Sequence, residues 1–356
     1  MPPAGGTLSA PVNVLRDWVD RGGSEDTSAY VDTQDSEPQS HSLPRLEVRS
    51  SAGKGLGLFT CEHIPAYTRV VDDDALLSLG PKENLPELWR KYLALPQEDR
   101  QCFESLSVHE NQTSKEEDQI VKLKQRGYAE DEARKMSQVS SKYLSNAFNT
   151  EDRTAHGGLG GQQGSRWSSA LFPTIARINH SCVPNCHPHY NLLSGAEVLY
   201  TLRDIEVGEE LSISYFDMTS PFATRQARAK SWGFTCSCTA CGRQGSFASG
   251  EYEGKLALVH HVVETQVSFM KTNTPAEDVE TANRAIEIAS DPDLPWLVAS
   301  LPVLHKTLAL RLQKANEWDP ERFGAQFASV QSIFQEALKW ELRTKGSQTL
   351  QRTDRR

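Results

Sequence analysis

The chain of 356 residues is long enough for a sizeable core and for about two domains. Its 38% hydrophobic and 24% charged residues are those of a soluble globular protein, and no apolar run approaches the length of a membrane span. A formal net charge of −9 argues against a protein that coats nucleic acid, while leaving room for a basic protein partner.

Residues 1–44 carry seven acids (Asp17, Asp20, Glu25, Asp26, Asp32, Asp35, Glu37) against two bases (Arg16, Arg21), amid Pro, Gly and Ser. That composition predicts a solvated, disordered tail. From Leu46 the pattern turns to short strands: Leu46 to Val48, then Gly53-Lys54-Gly55-Leu56-Gly57-Leu58-Phe59 as a glycine turn entering a strand, then Val70-Val71 and Ala75 to Leu77. Leu88, Tyr92 and Leu95 at helical spacing after Pro86 predict a helix; two more are expected around Ile120 to Leu123 and from Glu130 to Phe148. Gly157 to Gly164 reads as a loop. Alternation returns at Ala196 to Tyr200 and Leu211 to Tyr215, with a turn at Val207-Gly208-Glu209-Glu210 between. Helices are then expected at Tyr252 to Thr272, Pro275 to Ser290, Pro295 to Ala315 and Pro320 to Thr344, forming an antiparallel array, with a frayed end over Arg352 to Arg356.

Seven cysteines, several clustered, without a charged n-region and apolar h-region at the N-terminus, point to metal ligation rather than a disulfide framework. A reducing compartment, nucleus or cytoplasm, follows as the expectation. Cys236, Cys238 and Cys241 place three thiols within six residues, a spacing that wraps one tetrahedral zinc ion. The fourth ligand is left open by spacing among Cys182, Cys186, His187 and His189. Cys61 and Cys102 are expected in the core.

Four ordered motifs carry a resemblance. They are Gly53 to Phe59; Arg177-Ile178-Asn179-His180-Ser181-Cys182-Val183-Pro184-Asn185; Gly208-Glu209-Glu210-Leu211-Ser212-Ile213-Ser214-Tyr215; and Gly233-Phe234-Thr235-Cys236-x-Cys238-x-x-Cys241. In this order they resemble the SET-domain methyltransferases, the last cysteines matching the family's post-SET segment. A helical insertion, the run Tyr215-Phe216-Asp217-Met218 before Arg225-Gln226, and a helical C-terminal region resemble the SET-and-MYND branch and its fungal relatives. A seven-cysteine MYND finger is not expected, since Cys102 alone lies between residues 62 and 181.

The resemblance implies an α+β SET fold of short β-sheets over residues 45–242, with a helical insertion at about 80–166, a zinc-binding post-SET loop at 232–242 and a C-terminal helical region at 243–356. It implies an enzyme that transfers methyl groups from S-adenosylmethionine to lysine side chains of histone or non-histone proteins. Lys54, Gly55 and Leu56 then match the turn that holds the cofactor, Asn179 and His180 the pair that contacts it, Asn146 an asparagine supplied by the insertion, and Phe234 the aromatic against the adenine. Cys182 matches the fourth zinc ligand beside Cys236, Cys238 and Cys241. Tyr215 matches the catalytic tyrosine, also in contact with the cofactor; Trp232 and Phe172 are candidate walls of the substrate channel. A monomer with a protein substrate is expected, and neither nucleic acid nor membrane as partner. Two other readings stay open: a catalytically silent SET-like interaction module, and a methyltransferase of this fold with a non-protein acceptor.

Overall fold

The alternation from Leu46 and the glycines that follow fold into an antiparallel hairpin of β1 (Leu46–Ser51) and β2 (Gly55–Thr60), in register from Leu46 opposite Thr60 to Ser51 opposite Gly55. Gly53 (φ 72°) and Gly55 (φ 81°) turn the chain in left-handed backbone that other residues rarely adopt. The computed structural model describes residues 43–150, 168–191, 194–242, 247, 250–265 and 274–345. The expected acidic tail, the loop at 157–164 and the frayed end lie outside them.

Two three-stranded antiparallel sheets follow. One runs β3 (Arg69–Asp74), β9 (Ala196–Thr201), β8 (Cys186–Asn191); the other runs β4 (Leu77–Leu79), β6 (Ser169–Leu171), β5 (Ala147–Asn149). Val71 of β3 and Leu199 of β9 join Leu58 of the hairpin and Phe172, Ile178, Ile205 and Ile213 in one buried cluster, which removes their apolar surface from water. A parallel contact of only two residues per strand joins β7 (Asn179–His180) to β10 (Ser212–Ile213). This pairing brings the second and third sequence motifs side by side.

Between β4 and β5 the chain forms α1 (Leu85–Leu93), α2 (Gln97–Glu104), α3 (Glu110–Thr113), α4 (Glu116–Gln125) and α5 (Glu130–Asn146). Pro86 sits in the first turn of α1, where its missing N–H costs nothing. Leu88, Phe103 and Tyr143 share one buried cluster with β-strand residues Leu77 and Leu171, so the insertion packs directly onto the sheet. Two short helices, α2 and α3, go beyond the sequence expectation, because neither carries an apolar stripe. The helix expected to reach Phe148 stops at Asn146: Ala147 turns to extended backbone and pairs with Leu171, taking Phe148 into β5. Cys102 and Cys61 are half-exposed rather than core residues; Phe103 takes the buried position in α2, and Cys186 is the buried free thiol instead.

After β10 comes α6 (Phe222–Ser231), whose Arg225 is fully buried and bonds the Ser220 carbonyl and Glu253 (2.6 Å each). The C-terminal part comprises α7 (Gly250–Thr265), α8 (Pro275–Ala289), a 3-10 turn (Pro295–Ser300), α9 (Leu301–Trp318), α10 (Pro320–Phe327) and α11 (Val330–Lys345). Residues 266–272 of the first expected helix lie outside the described residues. The helix expected over Pro295 to Ala315 begins only at Leu301, because Pro302 fits a first turn but not an interior. The stretch expected as one helix from Pro320 breaks at Ala328-Ser329, where the Ser329 hydroxyl bonds the Gln326 carbonyl (2.6 Å) in competition with the helix ladder. Helix α11 packs on β8 and β9, so the helical array is joined to the sheet. No helix among the described residues is long and apolar enough to cross a membrane.

Candidate active site

The β7–β10 contact puts His180 under the last turn before Tyr215. The backbone N–H of Tyr215 donates to His180 Nδ1 (3.1 Å), and His180 Nε2 lies 3.3 Å from Cys182 Sγ. Phe234 closes the arrangement: its ring stands 5.4 Å from His180 and 6.1 Å, edge-on, from Tyr215. Trp232 lies 5.3 Å from Tyr215 on the other side. The Tyr215 hydroxyl donates to the Ile178 carbonyl (2.8 Å). Burial, with the Glu210 carboxylate adding to it, pushes its phenol well above the ordinary tyrosine range, so it stays protonated.

The four thiols come together as one group, with Sγ atoms all within 4.8 Å of one another. Cys182 and Cys236 are buried and lie 3.7 Å apart; Cys241 is 3.5 Å from Cys182. A tetrahedral zinc site with Zn–S near 2.3 Å has ligand separations of about 3.8 Å, so the donor set and its spacing fit a zinc ion held by four thiolates. They do not fit a disulfide, which needs about 2.05 Å. Among the four alternatives for the fourth ligand, Cys182 is the one within this group; Cys186, His187 and His189 lie in β8. Gln226 anchors the loop through a 3.2 Å bond to the Cys236 carbonyl.

A second group forms around Glu210. Asn179 Nδ2 donates to Glu210 Oε1 (2.7 Å) and to the Leu56 carbonyl (3.0 Å), Ser51 Oγ donates to Glu210 Oε2 (2.9 Å), and Lys54 Nζ stands 3.6 Å from the same oxygen. The glycine turn and Asn179 are thus tied by one carboxylate. Gly57 makes the approach possible, since a Cβ there would fall 2.4 Å from Glu210 Oε1. Asn185 performs a similar task one step along: its side chain bonds Glu209, the Glu210 carbonyl and the Ser212 N–H (3.0, 2.9 and 2.7 Å). Glu210 and Asn185 both stand inside the sequence motifs, yet spacing gave them no role; their partners are more than twenty residues away.

A narrow cleft opens between Asn146 and Phe148 on one wall and Tyr215 and Trp232 on the other, with Ile178 at its base. Asn146 is held there by bonds from its Nδ2 to the carbonyls of Ser107 and Lys142 (2.8 Å each). Phe172, named as a channel wall from sequence, has no exposed surface. It lies one residue past β6 and packs between Phe148 and Tyr190, at 6.1 Å from each.

The SET-domain family model matches residues 55–216. Histone-lysine N-methyltransferase SMYD3 of Homo sapiens is 46% identical over 77 residues, which are 21% of this chain and 17% of that protein. Histone-lysine N-methyltransferase SET5 of Meyerozyma guilliermondii is 38% identical over 76 residues, 20% of this chain and 16% of that one. The chain thus spans less than a fifth of the length of these relatives. The solved structure of Rubisco LSMT bound to AdoMet superposes at a TM-score of 0.36 with 15% identity, covering 95% of this chain and 94% of that one, a score too low to bear on the fold. The family model takes in the second and third sequence motifs and most of the first, and the chain carries a SET domain over residues 55–216.

Proposed function

We propose that the chain is an S-adenosylmethionine-dependent protein-lysine methyltransferase whose cofactor pocket is clasped by a zinc-bound cysteine loop. One observation carries the reading. His180 contacts both a thiol of the four-cysteine group and the backbone of Tyr215, so the metal loop, the Asn179-His180 segment and the aromatic cleft form one unit. The two relatives are named as histone-lysine N-methyltransferases, which favours a lysine acceptor.

In this reading Cys182, Cys236, Cys238 and Cys241 would hold the zinc ion, and four protein ligands would make its role structural rather than catalytic. Lys54, Gly55, Leu56, Asn146, Asn179, His180 and Phe234 bind the cofactor, which supplies an electrophilic methyl group when bound. A lysine acceptor would have to be neutral to take that methyl group, since its reference pKa is about 10.4. The protonated Tyr215 hydroxyl and the Trp232 ring orient the amine in a water-poor cleft, which lowers the barrier through positioning and desolvation. The Tyr215 oxygen can accept an N–H of the amine while its own proton stays on the Ile178 carbonyl, which leaves the amine lone pair free.

The test is purified zinc-loaded protein incubated with labelled S-adenosylmethionine, a histone mixture and a cell extract, followed by mass-spectrometric site mapping. Label on lysine side chains is expected, with turnover lost and zinc retained in Tyr215→Phe. Protein that binds the cofactor but labels no polypeptide would remove the proposal.

A further inference from the structure

The two walls of the aromatic cleft are joined from outside by residues 107–113, the stretch leading into and through α3. On one side this stretch is fastened to the end of α5: the His109 N–H donates to Ser145 Oγ (3.0 Å), and Asn146 Nδ2 donates to the Ser107 carbonyl (2.8 Å). On the other side Asn111 Nδ2 donates to the carbonyls of Lys230 (3.2 Å) and Ser231. These belong to the last turn of α6; the Lys230 carbonyl also accepts the Gly233 N–H (3.0 Å), so Asn111 adds a side-chain donor to the helix end. The chain then turns at Gly233 (φ 85°), where a Cβ would stand 3.5 Å from the Glu110 nitrogen. The His109 ring meets Trp232 edge-on, 5.1 Å between centroids at 88°. Trp232 in turn faces Tyr215.

We propose that residues 107–113 are a latch that fixes the corner 230–233 of the post-SET segment, Asn111 gripping its backbone and His109 acting as the positioning residue for the Trp232 ring. The fastening stands on geometry alone; its consequence for methyl transfer rests on the function proposed above. Without the His109 ring, Trp232 has space to turn away from Tyr215. The cleft then widens enough to admit an amine that already carries a methyl group. Burial lowers the His109 ring below the ordinary histidine range, so at neutral pH it presents an uncharged aromatic edge, which phenylalanine also supplies.

The experiment compares the full chain with His109→Ala, His109→Phe and Asn111→Ala, all zinc-loaded. Amide hydrogen exchange is followed over residues 230–236, with β8 and β9 as internal controls. Reaction products on a histone mixture are resolved by mass spectrometry into mono- and higher-methylated lysine. Exchange at 230–236 is expected to rise about tenfold or more in both alanine variants and to stay near wild type in His109→Phe. The product ratio should shift toward higher methylation in His109→Ala and return in His109→Phe. Unchanged exchange in both alanine variants overturns the latch. Raised exchange with an unchanged product ratio overturns the positioning role of His109. A wild-type protein that labels no histone speaks against the methyl-transfer reading for that acceptor, while the exchange comparison, with its phenylalanine rescue, still decides the latch.

Discussion

His180 receives the backbone N–H of Tyr215 on one ring nitrogen, at 3.1 Å, and its other ring nitrogen lies 3.3 Å from Cys182. The imidazole is buried, so each of these contacts replaces a water-mediated one that the site cannot supply. Replacing it with alanine leaves the Tyr215 N–H without its partner and opens a void against Phe216, whose ring lies 4.3 Å away. A buried donor left unmade costs about 1–3 kcal/mol. His180→Ala is therefore expected to weaken S-adenosylhomocysteine binding by roughly tenfold or more, in proportion to that loss. Calorimetric titration checks it; affinity within twofold of wild type would mean that the ring does not organise the pocket.

Removing the metal should act on the same pocket before it acts on the fold. The thiol loop belongs to a small cluster of Cys182, Phe216, Ala229 and Cys236, distinct from the sheet cluster centred on Leu58, Phe172 and Leu199. Chelation is thus expected to abolish cofactor binding while far-UV circular dichroism keeps most of its native signal. Cys236→Ser should behave as chelated protein does. Chelated protein that binds cofactor at full strength would refute the clasp.

Gly57 supplies a third test, through the carboxylate that ties the glycine turn to Asn179. An alanine methyl at that position meets Glu210 Oε1 at 2.4 Å and Asn179 Nδ2 at 3.0 Å. Glu210 cannot simply swing aside without giving up Asn179 and Ser51. Gly57→Ala should therefore cost cofactor affinity first and thermal stability second, with a melting point only a few degrees below wild type. Glu210→Gln keeps the shape and the Asn179 contact but loses the Lys54 ion pair, which is partly exposed and worth little. It should be the milder variant in the same binding assay. The reverse order would place the importance of Glu210 in its charge.

These tests depend on features that differ in how far the sequence discloses them. The four motifs already imply a SET fold, because each combines rare residue types in fixed order, and Cys182 joins the thiol group that the motif match implied. Local periodicity also finds α1, α4 and α5, whose apolar residues repeat at helical spacing. It does not find α2 and α3, which are held by tertiary contacts such as Asn111 to the Ser231 carbonyl. Nor does it find the β7–β10 pairing: two residues per strand leave no alternation to read, and the partners are more than thirty residues apart. Phe172 illustrates the same limit from the other side. An aromatic next to a motif can face a channel or the core, and here the partners that decide it, Phe148 and Tyr190, lie more than fifteen residues away along the chain.

The register of the two paired motifs has its own electrostatic signature. Burial alone would raise the Glu209 carboxyl, but hydrogen bonds from Arg203 and from Asn185 outweigh it, so its folded pKa lies below the ordinary carboxylate value. A group depressed on folding contributes stability that is complete above its unfolded pKa, about 4.3 for glutamate, and lost as pH falls through the lower folded value. In Glu209→Gln that contribution is absent at every pH. Melting temperatures of wild type and variant should therefore differ most at neutral pH and converge as the solution is acidified from about pH 5 toward pH 3. Asn185, which bonds both Glu209 and the Ser212 N–H, carries the effect to β10. Acidification over the same range should accordingly raise hydrogen exchange at Ser212 and Ile213 in wild type, and much less in Asn185→Ala, where the connection is already cut. A melting-temperature gap that stays constant with pH would show that Arg203 and Asn185 hold Glu209 by shape rather than by charge.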